Sequence, residues 1–502
     1  MEAPRPAAAG KATWKDEPMI DEMRALTERV VEQLSHRGVD YGDARVENTD
    51  LENLTFRKQR LAEAELQDER GVGVRVLVDG CWGFASCSGL EVEEVETTVD
   101  RAVEVARAGA GVIKGTVRLS PEAPSTGHYD GPCLKNPFEV PRGDKFDLMA
   151  RAADIMHESP LISMSWTNLR FERKRRVFGN TQGTLVSSDL VFTMPVLNAY
   201  AVHNGDMQSR GFQDGARIAG WEWIEDADLL KWAEISREEA IMKVKAPEGP
   251  AGVMDLVLDG THLSLTMHES VGHPTESDRV LGWEASMAGR TFLNIEDQEK
   301  LRYGSEMVNF IADNTLPYGV ASWGWDDEGV PGQKWYTVKN GIFQQFGSVR
   351  ETALLVGREH STGCCRAQDH ASFPINRQPN FYLEPGPDPV TPEDLISEVR
   401  KGVYIEGRGS FSIGQRRENF QFGGDMFWEI SNGKKTRPLK KVIYRSKTRD
   451  FWGSCDGISD DRFFRTMGLI TCGKGEPMQA ARMTHGASTS RFRNIQVGRG
   501  AE

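Results

Sequence analysis

The sequence has few cysteines and no long apolar segment. Seven cysteines in 502 residues are too few for a disulfide framework, so a reducing compartment, the cytoplasm, is expected. The most apolar stretch, residues 190–202, is interrupted by Thr193, Pro195 and Asn198 and is shorter than the roughly 20 apolar residues of a spanning helix. Residues 1–17 are rich in Ala and Pro and lack the apolar core of a signal peptide, so a disordered tail and no membrane contact are predicted.

The sequence also has fewer basic than acidic residues. The chain has 61 Lys and Arg against 74 Asp and Glu, a formal net charge of −13. Because nucleic-acid phosphates are bound by surfaces rich in Lys and Arg, this balance argues against a nucleic-acid partner. A hydrophobic fraction of 39% and a charged fraction of 27% are typical of a soluble globular protein.

The spacing of apolar residues predicts an α+β fold. Helical spacing is found at 19–34, 91–108, 144–156 and 226–245, and strand-like alternation at 44–87 and 163–218. Strands and helices in separate blocks indicate layered packing rather than repeated βαβ units. The Pro- and Gly-rich linker at 246–252 predicts a boundary between an N-terminal α+β domain, 18–247, with helices flanking a sheet, and a larger β-rich domain, 248–502.

The segment HESVGH in the β-rich half has the composition of a metal site. Two histidines five residues apart are rotated by about 140° on a regular helix and could not bind one ion. Gly272 and Pro274, however, predict a helix break or a π-bulge that would turn His273 back toward His268. Glu269 would then be the general base of a zincin-like peptidase. The alternative is a helix-face histidine with its hydrogen bonds satisfied, a loop histidine and a surface glutamate.

Two histidines leave a zinc ion in need of a third protein ligand. The candidates are cysteines and histidines elsewhere in the chain: Cys455, Cys472, the pair Cys364 and Cys365, His370 and His485. Spacing does not choose among them, although adjacent cysteines on an extended chain point to opposite faces and make a poor chelate. The cysteines of the strand-rich first half are expected to be small buried hydrophobic residues: Cys81, Cys87 and Cys133.

Other patterns have plainer explanations. No G-x-S-x-G elbow supports a serine hydrolase. The segment Gly468–Gly475 approximates a phosphate loop but has no Ser or Thr after Lys474, so nucleotide binding is not predicted. Lys474 is expected instead to lower the pKa of the Cys472 thiol. Three charged runs are expected to be solvated surface: 173–176, 326–329 and 434–441.

Four segments, in order along the chain, carry a resemblance to a known family: GVGVRVLVDGCWGFAS, HESVGH, YGVASWGWDDEGVPGQ and TCGKGEPMQAARMTHGASTSRFRNIQVG. They resemble the TldD/PmbA metallopeptidases, once described as modulators of DNA gyrase, over nearly the whole chain. The resemblance implies a zinc peptidase in which His268, His273 and Cys472 bind the metal and Glu269 is the general base. It also implies that the β-rich domain holds the metal and that a dimer encloses the active site.

The resemblance extends to the type of subunit. Because the metal motif is intact, this chain is similar to the catalytic TldD-type member, and its partner would be a second copy or a metal-free PmbA/TldE-like subunit. The predicted function is zinc-dependent hydrolysis of unfolded or extended peptides, such as leader peptides or peptide fragments. Two alternatives stay open: a non-catalytic scaffold or regulatory subunit of such a complex, and an amidohydrolase of natural-product processing. The sequence assigns no role to Cys455.

Overall fold

The computed structural model describes residues 17–112 and 116–500. The predicted tail at 1–17 lies outside these residues apart from Glu17, which begins the first helix. Within the described ranges, no helix combines the length and the apolar character that a membrane crossing needs. Helices and sheets occupy separate layers, which confirms the predicted α+β class.

One sheet organises the first half of the chain. Its strands are β1 (Tyr41–Arg57), β2 (Arg60–Val78), β3 (Cys81–Ser88), β4 (Thr126–Asp130), β5 (Ile162–Asn180), β6 (Leu185–His203), β7 (Asp206–Gly211) and β8 (Arg217–Ile218). Their order is β3-β2-β1-β5-β6-β4, and β7 and β8 also pair with β6. The pairs are antiparallel except for β4 with β6. Asp79 and Gly80, both at positive φ, form the predicted tight turn between β2 and β3.

Helices cover one face of this sheet: α1 (Glu17–Ser35), α2 (Val92–Val112), α3 (Arg142–Met156), α4 (Glu222–Ala227) and α5 (Leu229–Lys245). Helices α1 and α2 pack over one end of the long strands, and α3, α4 and α5 over the other end. The helix predicted at 226–245 is divided at Asp228. Its left-handed backbone, φ 44°, ends α4, and its carboxylate accepts the Lys231 N–H that caps α5.

The opposite face of the sheet is charged and buried, which contradicts the expectation of solvated charge. Arg176 of β5 and Arg45 of β1 form ion pairs with Asp327, and Arg75 of β2 pairs with Glu328. These five side chains are almost fully buried. The prediction for the runs 173–176 and 326–329 was wrong because buried partners distant in the sequence neutralise these charges: Arg176 pairs with Asp327, and Glu328 pairs with Arg75. Lys434 to Arg437 of the third run are exposed, as expected.

Two large sheets and a two-stranded ribbon make up the second half. The strands are β9 (Gly252–Leu258), β10 (Phe310–Asp313), β11 (Lys334–Lys339), β12 (Ile342–Phe343), β13 (Cys365–Arg366), β14 (Ile375–Asn376), β15 (Phe381–Leu383), β16 (Lys401–Glu406), β17 (Phe411–Ile413), β18 (Asn419–Gly423), β19 (Met426–Ser431), β20 (Lys434–Leu439), β21 (Val442–Lys447), β22 (Cys455–Ile458), β23 (Arg465–Lys474), β24 (Gln479–Ala487) and β25 (Ser490–Arg499). One sheet has the order β12-β11-β10-β15-β24-β23, and the other β17-β18-β21-β25-β9-β16-β19-β20, with β22 paired to β25.

Short helices lie between these strands: α6 (Gly260–Met267), α7 (Ser277–Val280), α8 (Arg350–Ala353), α9 (Pro392–Ser397) and α10 (Thr448–Gly453). The two sheets share one apolar core, in which Leu256, Phe310, Trp452 and Phe492 are fully buried. Helix α6 follows β9 directly and enters this core.

The predicted linker separates the strands of the first sheet from those of the other sheets. Every strand of the first sheet precedes residue 247, and every strand of the other sheets comes after it. The domain limits 18–247 and 248–502 stay a prediction.

Candidate metal centre

The HESVGH motif begins at the end of a buried helix. The Asp259 side chain caps α6 by accepting the N–H of His262 at 2.9 Å. All residues of α6 are buried, as expected for a helix that is largely apolar and enclosed by two sheets. After Met267 the helix widens, and residues 268–272 form one turn of π-helix.

This π-helix brings the two histidines together. The N–H of His273 donates to the carbonyl of His268, the hydrogen bond that defines a π turn. The rings of His268 and His273 lie 4.6 Å apart, centroid to centroid. Pro274 has no N–H for the carbonyl of Ser270, which accepts the Tyr303 hydroxyl at 2.5 Å instead. The predicted interruption of the helix is therefore confirmed.

Cys472 approaches the histidines from a different element. It lies on β23, where the register with β24 shifts between Leu469 and Cys472, an irregularity of the kind that redirects a side chain. Its Sγ is 3.5 Å from Nε2 of His273. One ligand atom each from His268, His273 and Cys472 lie within 4.8 Å of one another, all of them buried. The fold thus places together the three residues named as metal ligands by the resemblance.

Glu276 orients His273, a role that no pattern in the sequence predicted. Its Oε2 lies 2.7 Å from Nδ1 of His273 and accepts Nε of Arg279 at 2.8 Å, while Oε1 accepts Nζ of Lys474 at 2.9 Å. Burial pushes the pKa of Glu276 upward, but Lys474, His273 and Arg279 lower it well below its usual range. Lys474, expected to act on the Cys472 thiol, is bound to Glu276 and Asp278. Glu276 therefore turns Nε2 of His273 toward Cys472.

His485, one of the candidate ligands, positions His268. Its Nδ1 lies 3.3 Å from the carbonyl of Phe381, which can only accept a hydrogen bond. The Nε2 of neutral His485 is then an acceptor, 2.8 Å from Nδ1 of His268. This chain of hydrogen bonds puts the proton of His268 on Nδ1 and leaves its Nε2 lone pair free to bind a metal ion.

The electrostatics of the cluster favour its metal-binding forms. Burial lowers the pKa of His268 and of His273 to about 4, so both imidazoles are neutral near pH 7. Burial raises the pKa of the Cys472 thiol, but its contact with His273 and the charge of Arg377 outweigh burial, and the pKa is lowered overall. Neutral imidazoles and an acidified thiol are the states that bind a divalent ion.

Glu269 lies beside the three candidate ligands. Its buried carboxylate faces Arg417, with Oε2 3.1 Å from Nη1. It is not part of the group of ligand atoms formed by the two histidines and Cys472. Glu269 directly follows His268 in the chain, and its charge acts on the His268 imidazole. Its carboxylate is thus close to a candidate ligand without being one, the arrangement that a general base would need.

The remaining candidate ligands lie elsewhere. Cys455 is buried in the core of the second half, where burial raises its thiol pKa to about 12. Burial also raises the pKa of Cys364 to about 12, and its thiol contacts Thr362. His370 packs against β2 close to Gly71. The residues 468–474 lie within β23, followed by a turn and β24 rather than the helix that a phosphate loop requires.

Comparison with known proteins assigns the family. Residues 251–499 match the model of the PmbA/TldA metallopeptidase C-terminal domain, and residues 42–106 match PmbA/TldA metallopeptidase domain 1. The chain belongs to the PmbA/TldD family of metallopeptidases. The family predicted from the four sequence segments is confirmed, and the candidate metal centre falls entirely within the C-terminal match.

Individual relatives span almost the whole chain. A metalloprotease of Methanothermobacter thermautotrophicus is 27% identical over 460 residues, which cover 92% of this chain and 96% of the relative. A zinc metalloprotease TldD homolog of Saccharolobus solfataricus is 21% identical over 479 residues, 94% of this chain and 99% of the relative. The crystal structure of TldE from Thermococcus kodakarensis has the same fold, with a TM-score of 0.73 at 14% identity over 94% of this chain and 100% of that one.

Proposed function

We propose that this PmbA/TldD family member is a zinc-dependent, TldD-type peptidase that hydrolyses unfolded or extended peptides, such as leader peptides or peptide fragments. The observation that carries the proposal is the buried group of His268, His273 and Cys472, whose ligand atoms lie within 4.8 Å of one another beside the Glu269 carboxylate. The name of the Saccharolobus solfataricus relative supports zinc as the metal.

The donor set fits zinc. Imidazole nitrogens and thiolates are both zinc ligands, and three protein ligands leave the fourth tetrahedral position open for catalysis. With bonds of about 2.0–2.3 Å, two ligands of a tetrahedral zinc ion lie about 3.3–3.8 Å apart, and the Cys472 Sγ to His273 Nε2 distance is 3.5 Å. His485 and Glu276 hold the outer nitrogens of the two imidazoles, as the second layer of a zinc site does.

In this proposal Glu269 transfers the proton during hydrolysis. Zinc, when bound, supplies Lewis acidity and lowers the pKa of water toward about 7. Glu269 takes one proton from the attacking water as its oxygen adds to the scissile carbonyl carbon. When the C–N bond breaks, Glu269 returns that proton to the departing amine, so one water is consumed and one carboxyl and one amino group are formed.

An edge strand offers a place for an extended substrate. Among the described strands, β23 lies at the edge of its sheet and carries Cys472. A peptide in extended conformation could add to this edge through main-chain hydrogen bonds, which select little for sequence. The Gly468 end is covered by a bridge to Gly215, so the substrate would lie along the part of β23 nearer Cys472.

A partner subunit of the same fold is part of the proposal. The likeness to TldE supports either a heterodimer with a PmbA/TldE-like chain or a homodimer. We therefore propose that full peptidase activity requires this partner subunit. The cytoplasmic location and the absence of a nucleic-acid partner stay predictions from the composition.

The experiment compares the zinc-loaded wild type with Glu269→Gln, alone and with a TldE-like partner, on a mixture of unstructured peptides followed by mass spectrometry. Glu269→Gln should keep stoichiometric zinc and lose at least about 100-fold in turnover, because the proton acceptor is gone. Glu234→Gln, on the exposed side of α5, is the matched control and should keep full activity. Undiminished cleavage by zinc-loaded Glu269→Gln, or no cleavage by any wild-type preparation, would overturn the proposal.

A further inference from the structure

A strained turn carries an arginine into the candidate metal centre. Arg417 is the last residue but one of the turn 414–418, between β17 and β18, and has a left-handed backbone with φ 63°. A residue other than glycine pays about 1–3 kcal/mol for such a conformation. The turn is held by the Arg417 N–H to the Gly414 carbonyl at 2.8 Å and by the Thr448 hydroxyl to the Arg417 carbonyl at 2.6 Å.

The Arg417 guanidinium is buried, and not all of its N–H donors are used in hydrogen bonds. Its side chain is 13% exposed, Nη1 lies 3.1 Å from Oε2 of Glu269, and Nη2 donates to the Ala288 carbonyl at 3.3 Å. Among the residues that the structure describes, neither its buried Nε nor the buried Oε2 of Glu269 has a hydrogen-bond partner, so the two charges are close but not aligned for a hydrogen bond. Each buried donor left unpaired costs about 1–3 kcal/mol, so this arginine has unused hydrogen-bonding capacity directly beside Glu269.

Neighbouring arginines are committed to other groups. Arg279 is bound to Glu276. Both Nη groups of Arg377 donate to backbone carbonyls, those of Cys472 and Gln479, although its Nε is also unpaired among the described residues. Arg416 points to the solvent with a side chain that is 59% exposed. Arg417 is thus the guanidinium that faces Glu269 and still has donors available.

The position of Glu269 fixes where the reacting carbonyl must be. A general base lies about 2.6–3.2 Å from the water whose proton it takes, and that water lies about 3–3.5 Å from the carbon that it attacks. The carbonyl oxygen is then a few ångströms from the Glu269 carboxylate, within the reach of an Arg417 side chain that needs only a small rotation from its present place 3.1 Å away.

We propose that Arg417 is a catalytic residue that binds the oxygen of the scissile carbonyl and stabilises its negative charge during hydrolysis. This inference rests on the proposed peptidase function. As the water oxygen adds to the carbonyl carbon, the π electron pair moves onto the carbonyl oxygen and one proton moves to Glu269. The Arg417 guanidinium leaves Glu269 and donates to that anionic oxygen. When the carbonyl re-forms and the C–N bond breaks, Glu269 gives that proton to the departing amine and Arg417 returns to the Glu269 carboxylate.

The test compares Arg417→Gln and Arg417→Lys with Arg416→Gln, the exposed arginine one position earlier. On a peptide that the zinc-loaded wild type cleaves, Arg417→Gln should lower kcat about 100- to 1,000-fold, the usual effect of removing one such donor, with KM within about threefold. Arg417→Lys should recover part of kcat because it keeps the charge. Zinc content should match the wild type in all three variants, and Arg416→Gln should match it in kcat.

A binding measurement separates this role from a structural one. A phosphinic peptide that replaces the cleaved bond carries a tetrahedral anion, so Arg417→Gln should weaken its binding by a factor similar to the loss in kcat. Binding of the amine-side product peptide, which lacks the new carboxylate, should change by less than about threefold. Two results would overturn this inference and leave the proposed function standing. One is a kcat of Arg417→Gln equal to that of an active wild type, and the other is an equal loss in the binding of the phosphinic peptide and of the product peptide. A wild type that cleaves nothing overturns both.

Discussion

At the scale of single residues, the account depends on side chains that position the ligands as much as on the ligands. His273 is held by Glu276, which is itself held by Lys474 and Arg279, and His268 is held by His485. Such outer contacts fix the orientation of an imidazole and its proton, and their loss lowers metal affinity about 10- to 100-fold.

Replacing Glu276 with Gln should therefore weaken zinc binding about 10- to 100-fold, because an amide can present an NH₂ group to Nδ1 of His273 and carries no charge for Lys474. Competition with a chromogenic chelator measures the affinity. Asp278→Asn is the control, since Asp278 shares Lys474 with Glu276 but does not contact His273. Equal zinc affinity in Glu276→Gln and the wild type would show that Glu276 does not orient the ligand.

At this scale the sequence predicted the histidine pair but not its surroundings. HESVGH stands out because two histidines, a metal-binding residue type, flank a carboxylate. Glu276 and Arg417 lie among many other glutamates and arginines, and only the folded chain distinguishes them. Spacing left Cys472 and Cys455 as equals, and the resemblance to the family was needed to favour Cys472, which the fold then places beside His273.

At the scale of elements, the π-helix at 268–272 is the feature that makes the site possible. It exists because the chain supplies partners for the carbonyls that an α-helix would have satisfied internally. The Tyr303 hydroxyl donates to the carbonyl of Ser270, to which Pro274 can donate no N–H. Nε2 of Gln378 adds a second hydrogen bond, at 3.2 Å, to the His268 carbonyl that already accepts the His273 N–H. The break was predictable from Gly272 and Pro274, whereas these partners, distant in sequence, were not.

Gly272→Ala tests this element. A Cβ at position 272 would lie 2.1 Å from Oε1 of Gln378, so the buried amide would have to move away from His268. Losing that hydrogen bond should cost about 1–3 kcal/mol of unfolding free energy and weaken zinc binding. Urea denaturation and chelator competition measure the two effects. Gly143→Ala in α3, where an added Cβ meets nothing within 4 Å, is the control. A Gly272→Ala protein as stable as this control would contradict the account.

At the scale of the whole molecule, a buried layer of opposite charges joins the first sheet to the second half of the chain. Arg75 lies 2.7 Å from Asp43 and 3.4 Å from Glu328, and it also stacks on Trp82 at 4.5 Å. The α+β class was predictable from periodicity, because helices and strands differ in repeat along the sequence. The buried charge layer was not predictable, because a run of like charges indicates a solvent-exposed surface unless its partners of opposite charge are known.

Arg75→Gln should destabilise the protein by about 3–5 kcal/mol, since it leaves Asp43 and Glu328 buried without a cation. Arg437→Gln breaks an exposed pair with Glu429 and should cost less than about 1 kcal/mol. The unfolding free energies from urea titration give the comparison. Similar values for the two variants would mean that the buried layer contributes no more than a surface ion pair.

The central claim is that this chain builds one zinc centre from His268, His273 and Cys472. X-ray absorption at the zinc edge of the purified protein tests it most directly. The account predicts one sulfur ligand at about 2.3 Å together with nitrogen ligands at about 2.0–2.1 Å, and the loss of the sulfur in Cys472→Ser but not in Cys455→Ser. A zinc ion without sulfur, or a sulfur that disappears only in Cys455→Ser, would contradict it.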